Sequence, residues 1–109
     1  MTAVTGPVLV LSTVGTREDA QRIADALVGE RLAACVNVLP GLASTYRWKG
    51  AVERADELLL LIKTRAERVE DLGVRLRALH PYEVPEIIVL PIAGGHGPYL
   101  DWILESVSR

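Results

Sequence analysis

A short apolar run near the start of the chain, VLVLSTV at residues 8–14, constrains the fold more than any other feature. A run of this length, rich in β-branched residues, is typical of a central strand that is buried on both faces. The period then changes, because apolar residues recur at the i, i+3, i+4, i+7 and i+8 positions of one helical face. These residues are Ala20, Ile23, Ala24, Leu27 and Val28. We therefore predict a helix that has Thr16 as its N-cap and ends around residues 29–31.

Two further strands and a tight turn are predicted in the middle of the chain. The segment LAACVNVL, residues 32–39, is typical of a second strand, which we expect the Pro-Gly pair at 40–41 to stop. Residues 43–48 then alternate in character, and a Lys-Gly pair at 49–50 suits a tight turn. Residues 51–63 predict a long third strand, so the two segments would form a β-ribbon.

The second half of the chain predicts a helix, a strand and a final helix. Thr64 and Glu67 form a capping-box pattern, which favours a helix that starts at Thr64. This helix should end at His80, because a residue before proline is displaced from helical geometry. Residues 84–91 predict a fourth, buried strand, and residues 99–107 carry the apolar face of a short terminal helix.

The predicted order is strand, helix, strand, strand, helix, strand and a terminal helix. This order is the split βαβ arrangement of an α+β, ferredoxin-like fold, in which two helices cover one face of an antiparallel sheet. The 109 residues are half hydrophobic, which is enough for one compact core. We expect a single domain over residues 1–109.

Composition excludes several classes of partner. The chain has 12 basic and 14 acidic residues, a formal net charge of -2, and no basic stripe of the kind that a nucleic-acid binder shows. Its longest apolar run, residues 58–62, is far too short for a membrane span, and its first residues lack the pattern of a signal peptide. The single cysteine, Cys35, cannot form an intramolecular disulfide and suits a reducing compartment. We expect a cytoplasmic protein with no nucleic-acid partner and no membrane contact.

The β-ribbon between about Ser44 and Glu57 is longer than two helices can cover. Exposed strands pair readily with other chains, and proteins usually cover them. The ribbon also carries Tyr46, Trp48 and Val52, large side chains of the kind found at subunit contacts. We therefore expect an oligomer; a monomer with a frayed hairpin is the alternative.

Several stretches, taken in order and spacing, resemble one family, the CutA divalent-cation tolerance proteins. They are LAACVNVLPG, STYRWKG, ELLLLIKT, HPYEVPEIIVLPI and YLDWI. The resemblance spans almost the whole chain and implies a ferredoxin-like homotrimer with the ribbon as a clasp between subunits. It also implies tolerance of divalent cations and copper binding. The family trimer is similar to that of the PII signalling proteins, which implies a regulatory or ligand-sensing role as the alternative.

Three residues are candidate ligands for copper or another divalent metal ion: Cys35, His80 and Glu86. The Cys35 thiolate would suit Cu(I), but a cysteine in an apolar strand is more typical of apolar packing. Imidazole is a common metal ligand, but His80 also suits the end of a helix, where the dipole favours it. A second histidine, His96, lies in the glycine-rich loop AGGHGP, where an exposed loop residue is the alternative.

A further set of residues resembles those that line a cleft between subunits in the family. The set is Trp48, Glu57, Lys63, Tyr82 and Glu86. A cleft with an aromatic wall, a lysine and carboxylates could take a small anionic ligand or a hydrated metal ion. Glu57 and Lys63 share a strand face but lie ~20 Å apart, so they cannot pair within one chain. The alternative for each is a solvated charge at a strand end.

An enzymatic function is not expected, because the sequence has no G-x-S-x-G elbow, no G-x-G-x-x-G stretch and no Walker A loop. The sequence therefore predicts a trimeric, cytoplasmic protein that binds copper or another divalent metal ion. The alternative is a PII-like signalling or scaffold trimer that binds a small metabolite in the cleft between subunits.

Overall fold

The computed structural model describes residues 4–108, which form an α+β fold with four strands and three α-helices. The elements are β1 Pro7–Val14, α1 Arg17–Gly29, β2 Cys35–Trp48, β3 Ala51–Arg65, a 3-10 turn Ala66–Arg68, α2 Val69–Leu79, β4 Ile88–Pro91 and α3 Gly97–Ser106. The predicted order of elements is confirmed. Residues 1–3 and 109 of the predicted single domain lie outside the described residues.

The four strands form one sheet in the order β2-β3-β1-β4, and all neighbours are antiparallel. Strand β1 is central, as predicted, because its Val10 lies opposite Ile62 of β3 on one side and Val89 of β4 on the other. Strands β2 and β3 are joined by a two-residue turn in which Lys49 and Gly50 both have positive φ, 50° and 82°. Positive φ at both positions is the type I′ geometry that suits a twisted hairpin.

Helices α1 and α2 cover one face of the sheet and bury the core against it. The core consists of every second residue of the central strands and the apolar faces of both helices, because successive strand side chains point to opposite faces. Its fully buried members include Val8, Val10, Leu60, Ile62, Ile23, Leu27, Leu72 and Leu76. Thr16 caps α1 as predicted: its Oγ1 accepts a hydrogen bond of 3.1 Å from the backbone N–H of Asp19.

Within the described part of the chain, α3 covers the opposite face of the sheet, and only at one end. There Lys63 Nζ donates to the Tyr99 hydroxyl at 3.0 Å, and Arg65 Nη1 donates to the Leu104 carbonyl at 3.2 Å. The rest of this face is mostly apolar and half-buried or exposed, and we call it the open face. It carries Cys35 and Asn37 together with the apolar residues Leu9, Leu11, Leu39, Leu59, Leu61, Ile88 and Leu90.

The second strand differs from the prediction, because the Pro-Gly pair at 40–41 does not stop it. Strand β2 continues from Cys35 to Trp48, and the pairing with β3 shifts between Leu39 and Leu42. Gly41 has a φ of 85°, which a residue with a Cβ rarely adopts. The pair therefore forms a β-bulge, which kinks the strand without ending it.

The predicted capping box at Thr64 is wrong. Strand β3 continues to Arg65, and Thr64 is fully buried in it as the next inward-facing residue after Ile62. The Thr64 hydroxyl donates to the Leu32 carbonyl at 2.7 Å and so satisfies a buried acceptor. Helix α2 begins only at Val69, after the 3-10 turn, and no side chain among residues 4–108 caps it.

The fourth strand is shorter and more exposed than predicted. Residues 84–87 lie outside it, and β4 spans only Ile88–Pro91 at the edge of the sheet. Ile88 and Leu90 lie on the open face and are 46% and 42% exposed, so the prediction of a buried strand is wrong. The terminal helix begins at Gly97, two residues before the predicted start.

Two glycines provide matched tests of the backbone, because a Cβ added at Gly29 or at Gly50 would meet no atom within 4 Å. We expect Gly50→Ala to lower the free energy of unfolding by about 1 kcal/mol, since its φ of 82° strains any residue with a Cβ. Gly29→Ala lies in α1 and should raise that free energy by about 0.5 kcal/mol. Urea unfolding at one fixed protein concentration measures both; equal shifts for the two variants would contradict the turn geometry.

Candidate functional site

A cavity lies on the open face, where the β-ribbon leaves the sheet. Strand β1 pairs with β3 only from residue 58 onward, so residues 42–48 and 51–57 pair only with each other. The segment after α2, residues 82–86, runs beside this ribbon. Ribbon, segment and sheet line an open cavity of roughly 660 Å³. This volume lies within the range of small-molecule sites, about 300–1,000 Å³.

Glu57 lies at the base of the cavity and is 8% exposed. Its Oε2 accepts a hydrogen bond of 2.7 Å from the Tyr82 hydroxyl, which joins the ribbon to the segment after α2. Partial burial, this hydrogen bond and the charge of Glu57 together raise the pKa of Tyr82 well above its usual range. The Tyr82 hydroxyl also lies close to the backbone of Gly15, because a Cβ added at Gly15 would be 3.3 Å from it.

His80 supports the Tyr82 side of the cavity from within the fold and is 7% exposed. Its Nδ1 accepts a 3.1 Å hydrogen bond from the Tyr82 backbone N–H, so Nε2 carries the proton and donates to the Thr13 carbonyl at 2.7 Å. The His80 and Tyr82 rings also pack at 4.7 Å between centroids. Both ring nitrogens are therefore occupied, and a metal ion could bind His80 only by replacing one of these contacts.

Aromatic rings and carboxylates dominate the walls of the cavity. The rings are Tyr46, Trp48 and Tyr82; the carboxylates are Glu53, Glu57, Glu83 and Glu86. None of the described residues that line the cavity is basic. Partial burial and the nearby carboxylates Glu53 and Glu57 raise the pKa of Tyr46, because they disfavour its phenolate. One of the four carboxylates has a basic partner outside the lining: Lys49 Nζ lies 3.9 Å from Glu83 Oε2.

The structure assembles most of the predicted cleft residues in this cavity. Trp48, Glu57, Tyr82 and Glu86 line it, whereas Lys63 does not. Lys63 lies at the other end of β3, six residues or ~20 Å from Glu57, and donates to Tyr99.

The three predicted metal ligands do not converge within one chain. Cys35 lies opposite Lys63 at one end of the sheet, whereas His80 contacts Thr13 at the other, ~13 Å away along β1. Within residues 4–108, no three His, Cys, Asp or Glu side chains are close enough to hold one metal ion. His96 lies at the exposed N-terminal end of α3, far from both in the sequence.

Three of the aromatic and acidic residues that line the cavity were not among the predicted cleft residues: Glu83, Tyr46 and Glu53. Of these, Tyr46 and Glu53 lie directly opposite each other on the ribbon. Their signal is the turn at residues 49–50, because a two-residue turn fixes the register of both strands. That register places Tyr46 beside Glu53 and Leu42 beside Glu57 on one face.

The sequence and the fold of the chain are both similar to those of known proteins. The sequence model described as "CutA1 divalent ion tolerance protein" matches residues 8–106. The chain belongs to this CutA1 family. The match includes the whole of α3 and, apart from Pro7, all four strands. It therefore covers the sheet, the ribbon and the cavity. Among residues 4–108, no helix has the length and apolar composition needed to cross a membrane.

Similar proteins carry the same family description. A "Divalent-cation tolerance protein CutA" from Thermus thermophilus is 57% identical over 92% of this chain and 97% of its own length. A solved structure of a divalent cation tolerance protein (Cut A1) from the same organism has a TM-score of 0.91, 55% identity, and coverage of 94% of this chain and 99% of its own. "Protein CutA, chloroplastic" from Arabidopsis thaliana is 46% identical over 94% of this chain, which spans only 56% of that longer protein.

The hydrogen bond between Tyr82 and Glu57 can be tested by titrating the tyrosine phenols. The chain has three tyrosines, so the contribution of each can be separated by substitution. We expect Tyr82 to ionise last, and Tyr82→Phe should remove the phenolate absorbance that develops at the highest pH. A pKa raised by folding contributes stability below the ordinary tyrosine pKa of about 10, and this contribution declines at higher pH. The free energy of unfolding of the wild type should therefore fall more steeply above about pH 10 than that of the variant. Loss of a phenol that titrates near its ordinary pKa would contradict the assignment.

Proposed function

We propose that this member of the CutA1 family is a homotrimer that binds a divalent cation, with copper as the preferred ion. The observation that carries the proposal is the acidic cavity: four carboxylates line it, and none of its described lining residues is basic. A concave surface with charges of one sign concentrates counter-ions. Such a surface favours a cation over the small anionic ligand that is the other expectation from the sequence.

The choice of copper rests on chemistry that the chain's residues can supply. Carboxylate and imidazole sites generally bind Cu²⁺ more tightly than other divalent first-row metals. Glu86 lines the cavity and is the proposed carboxylate ligand. The Cys35 thiol is half-buried on the open face, 3.6 Å from Asn37 Oδ1, and is the proposed ligand for Cu(I). His80 is proposed only as a ligand that changes its present hydrogen bonds.

One chain does not supply a complete coordination shell, because these side chains do not converge. A hydrated ion held through water by Glu53, Glu57 or Glu86 fits the spread of the carboxylates within the cavity. Ligands from a neighbouring subunit would complete an inner shell. The metal proposal and the trimer proposal are therefore linked.

The proposed trimer is supported by surfaces that one chain leaves uncovered. The open face carries six leucines and Ile88, and the ribbon is only two strands wide over residues 42–57. An isolated two-stranded ribbon is at best marginally stable in water, so packing against another chain would stabilise it. Tyr46, Trp48 and Val52 are 41%, 36% and 55% exposed on this ribbon.

The cellular setting is also a proposal. We infer a cytoplasmic, non-catalytic role, in keeping with one half-buried thiol and with a family described by tolerance rather than by a reaction. A PII-like signalling or scaffold role is the second candidate. The size of the cavity favours it, since roughly 660 Å³ is far more than one ion needs.

The trimer is tested by light scattering at micromolar protein concentration. We expect a mass three times the 11.9 kDa of one chain. Leu61→Glu should yield monomers, because it places a charge at the centre of the open face, beside Leu11. Glu70→Gln on the exposed side of α2 is the control and should leave the mass unchanged. A monomeric wild type would end the trimer proposal and every site that needs a second subunit.

The metal site is tested by calorimetric titration of the metal-free protein with Cu²⁺. Glu53→Gln and Glu86→Gln should each weaken binding about tenfold, because each removes one charge from the cavity. Glu70→Gln removes the same charge elsewhere and should bind as the wild type does. Cys35→Ser and His80→Ala test the remaining ligands. Copper binding that survives all four site variants unchanged would show that these ligands are wrong.

A further inference from the structure

The cavity has the composition of a site for an organic cation. It combines three aromatic rings with four carboxylates, yet nowhere among residues 4–108 do three metal-binding side chains meet. We infer that the cavity binds a linear aliphatic polyamine, a molecule in which ammonium groups are separated by methylene segments. This ligand class goes beyond the metal proposal, and it uses the aromatic walls as well as the carboxylates.

The spacing of the carboxylates favours a ligand with several separated charges. Glu53 and Glu57 lie four residues apart on the same face of β3, so their Cα atoms are ~13 Å apart. Glu83 and Glu86 lie across the cavity on the segment after α2. A single ion can contact only part of this set, whereas an extended polyamine can place one ammonium group near each end.

Glu57 provides the innermost position for an ammonium group. It is 8% exposed, and the only hydrogen bond that its carboxylate accepts from the described residues comes from the neutral Tyr82 hydroxyl. A buried carboxylate without a positive partner is costly, because burial removes it from water. A bound ammonium group would supply the missing charge and donate to the second carboxylate oxygen.

The aromatic walls suit the remaining parts of such a ligand. Tyr46, Trp48 and Tyr82 are between 36% and 41% exposed where they line the cavity. Ring faces attract ammonium groups and also cover methylene segments, which a small inorganic ion does not have.

The chain already makes the proposed contact with one of its own ammonium groups. Lys49 Nζ lies 5.6 Å from the centroid of the Trp48 ring and 3.9 Å from Glu83 Oε2. Both charged side chains of this pair are 73% exposed, so the contact is weak and easily replaced. Lys49 therefore acts as a stand-in for the ligand, and it should compete with an added polyamine for Trp48 and Glu83.

Calorimetric titration of the assembled wild-type protein with spermidine tests the inference, with butylamine as the single-charge comparison. We expect spermidine to bind at least about tenfold more tightly than butylamine at moderate ionic strength, because several charges engage several carboxylates. Trp48→Leu should weaken spermidine binding about threefold or more by removing the ring. Lys49→Gln should strengthen it, since the competing ammonium group is gone. Glu70→Gln should leave it unchanged.

The same variants separate this inference from the metal proposal. Trp48→Leu should leave the affinity for Cu²⁺ unchanged, whereas Glu53→Gln should weaken both ligands. Copper binding without spermidine binding would overturn the polyamine inference alone, and it would be the outcome if a neighbouring subunit filled the cavity. Spermidine binding without copper binding would support the inference and remove the metal function. Spermidine binding that is indifferent to both Trp48→Leu and Lys49→Gln would also overturn the inference.

Discussion

Strand β3 divides the molecule, because its successive side chains enter two different environments. Leu58, Leu60 and Ile62 face the helices and form the centre of the core. Leu59 and Leu61 face the other way, onto the open face, and Glu57 begins the cavity there. The strand also extends beyond β1, so residues 51–57 in its first half pair with β2 alone. The core, the open face and the ribbon all follow from this one strand.

The cavity depends on contacts that bind its two sides together rather than on any single wall. The hydrogen bond from Tyr82 to Glu57 joins the segment after α2 to the ribbon, and His80 ties the same segment to the carbonyl of Thr13. These contacts fix the positions of polar groups whose charges are left largely unbalanced. Buried or crowded carboxylates that lack enough positive partners are typical of a binding surface. In ordinary cores, such groups are paired with a positive charge. This imbalance is the common basis of both proposed ligands.

The sequence could predict what depends on local pattern, and it failed where tertiary contacts decide. Thr16 and the turn at 49–50 were predictable, because a cap and a type I′ turn need only neighbouring residues. Thr64 has the sequence signature of a cap, but burial of alternate residues along β3 outweighs it. The bulge at 40–41 and the edge position of β4 depend on pairing partners that a pattern does not reveal. The resemblance to the family named four residues that line the cavity, and it assigned Lys63, which lies ~20 Å from Glu57 on the same chain, to a cleft between subunits that one chain does not test.

The β-bulge between Leu39 and Leu42 acts as a joint between two registers of the same pair of strands. Beyond Leu59, β1 and the helices fix the pairing of β2 with β3. In the ribbon, among the described residues, only the turn at 49–50 and the segment after α2 support it. Substitutions in the ribbon can therefore change what the cavity recognises while the folding core stays intact. A chain built in this way can diversify its ligand during evolution, or accept a redesigned loop in the laboratory, without having to evolve a new fold.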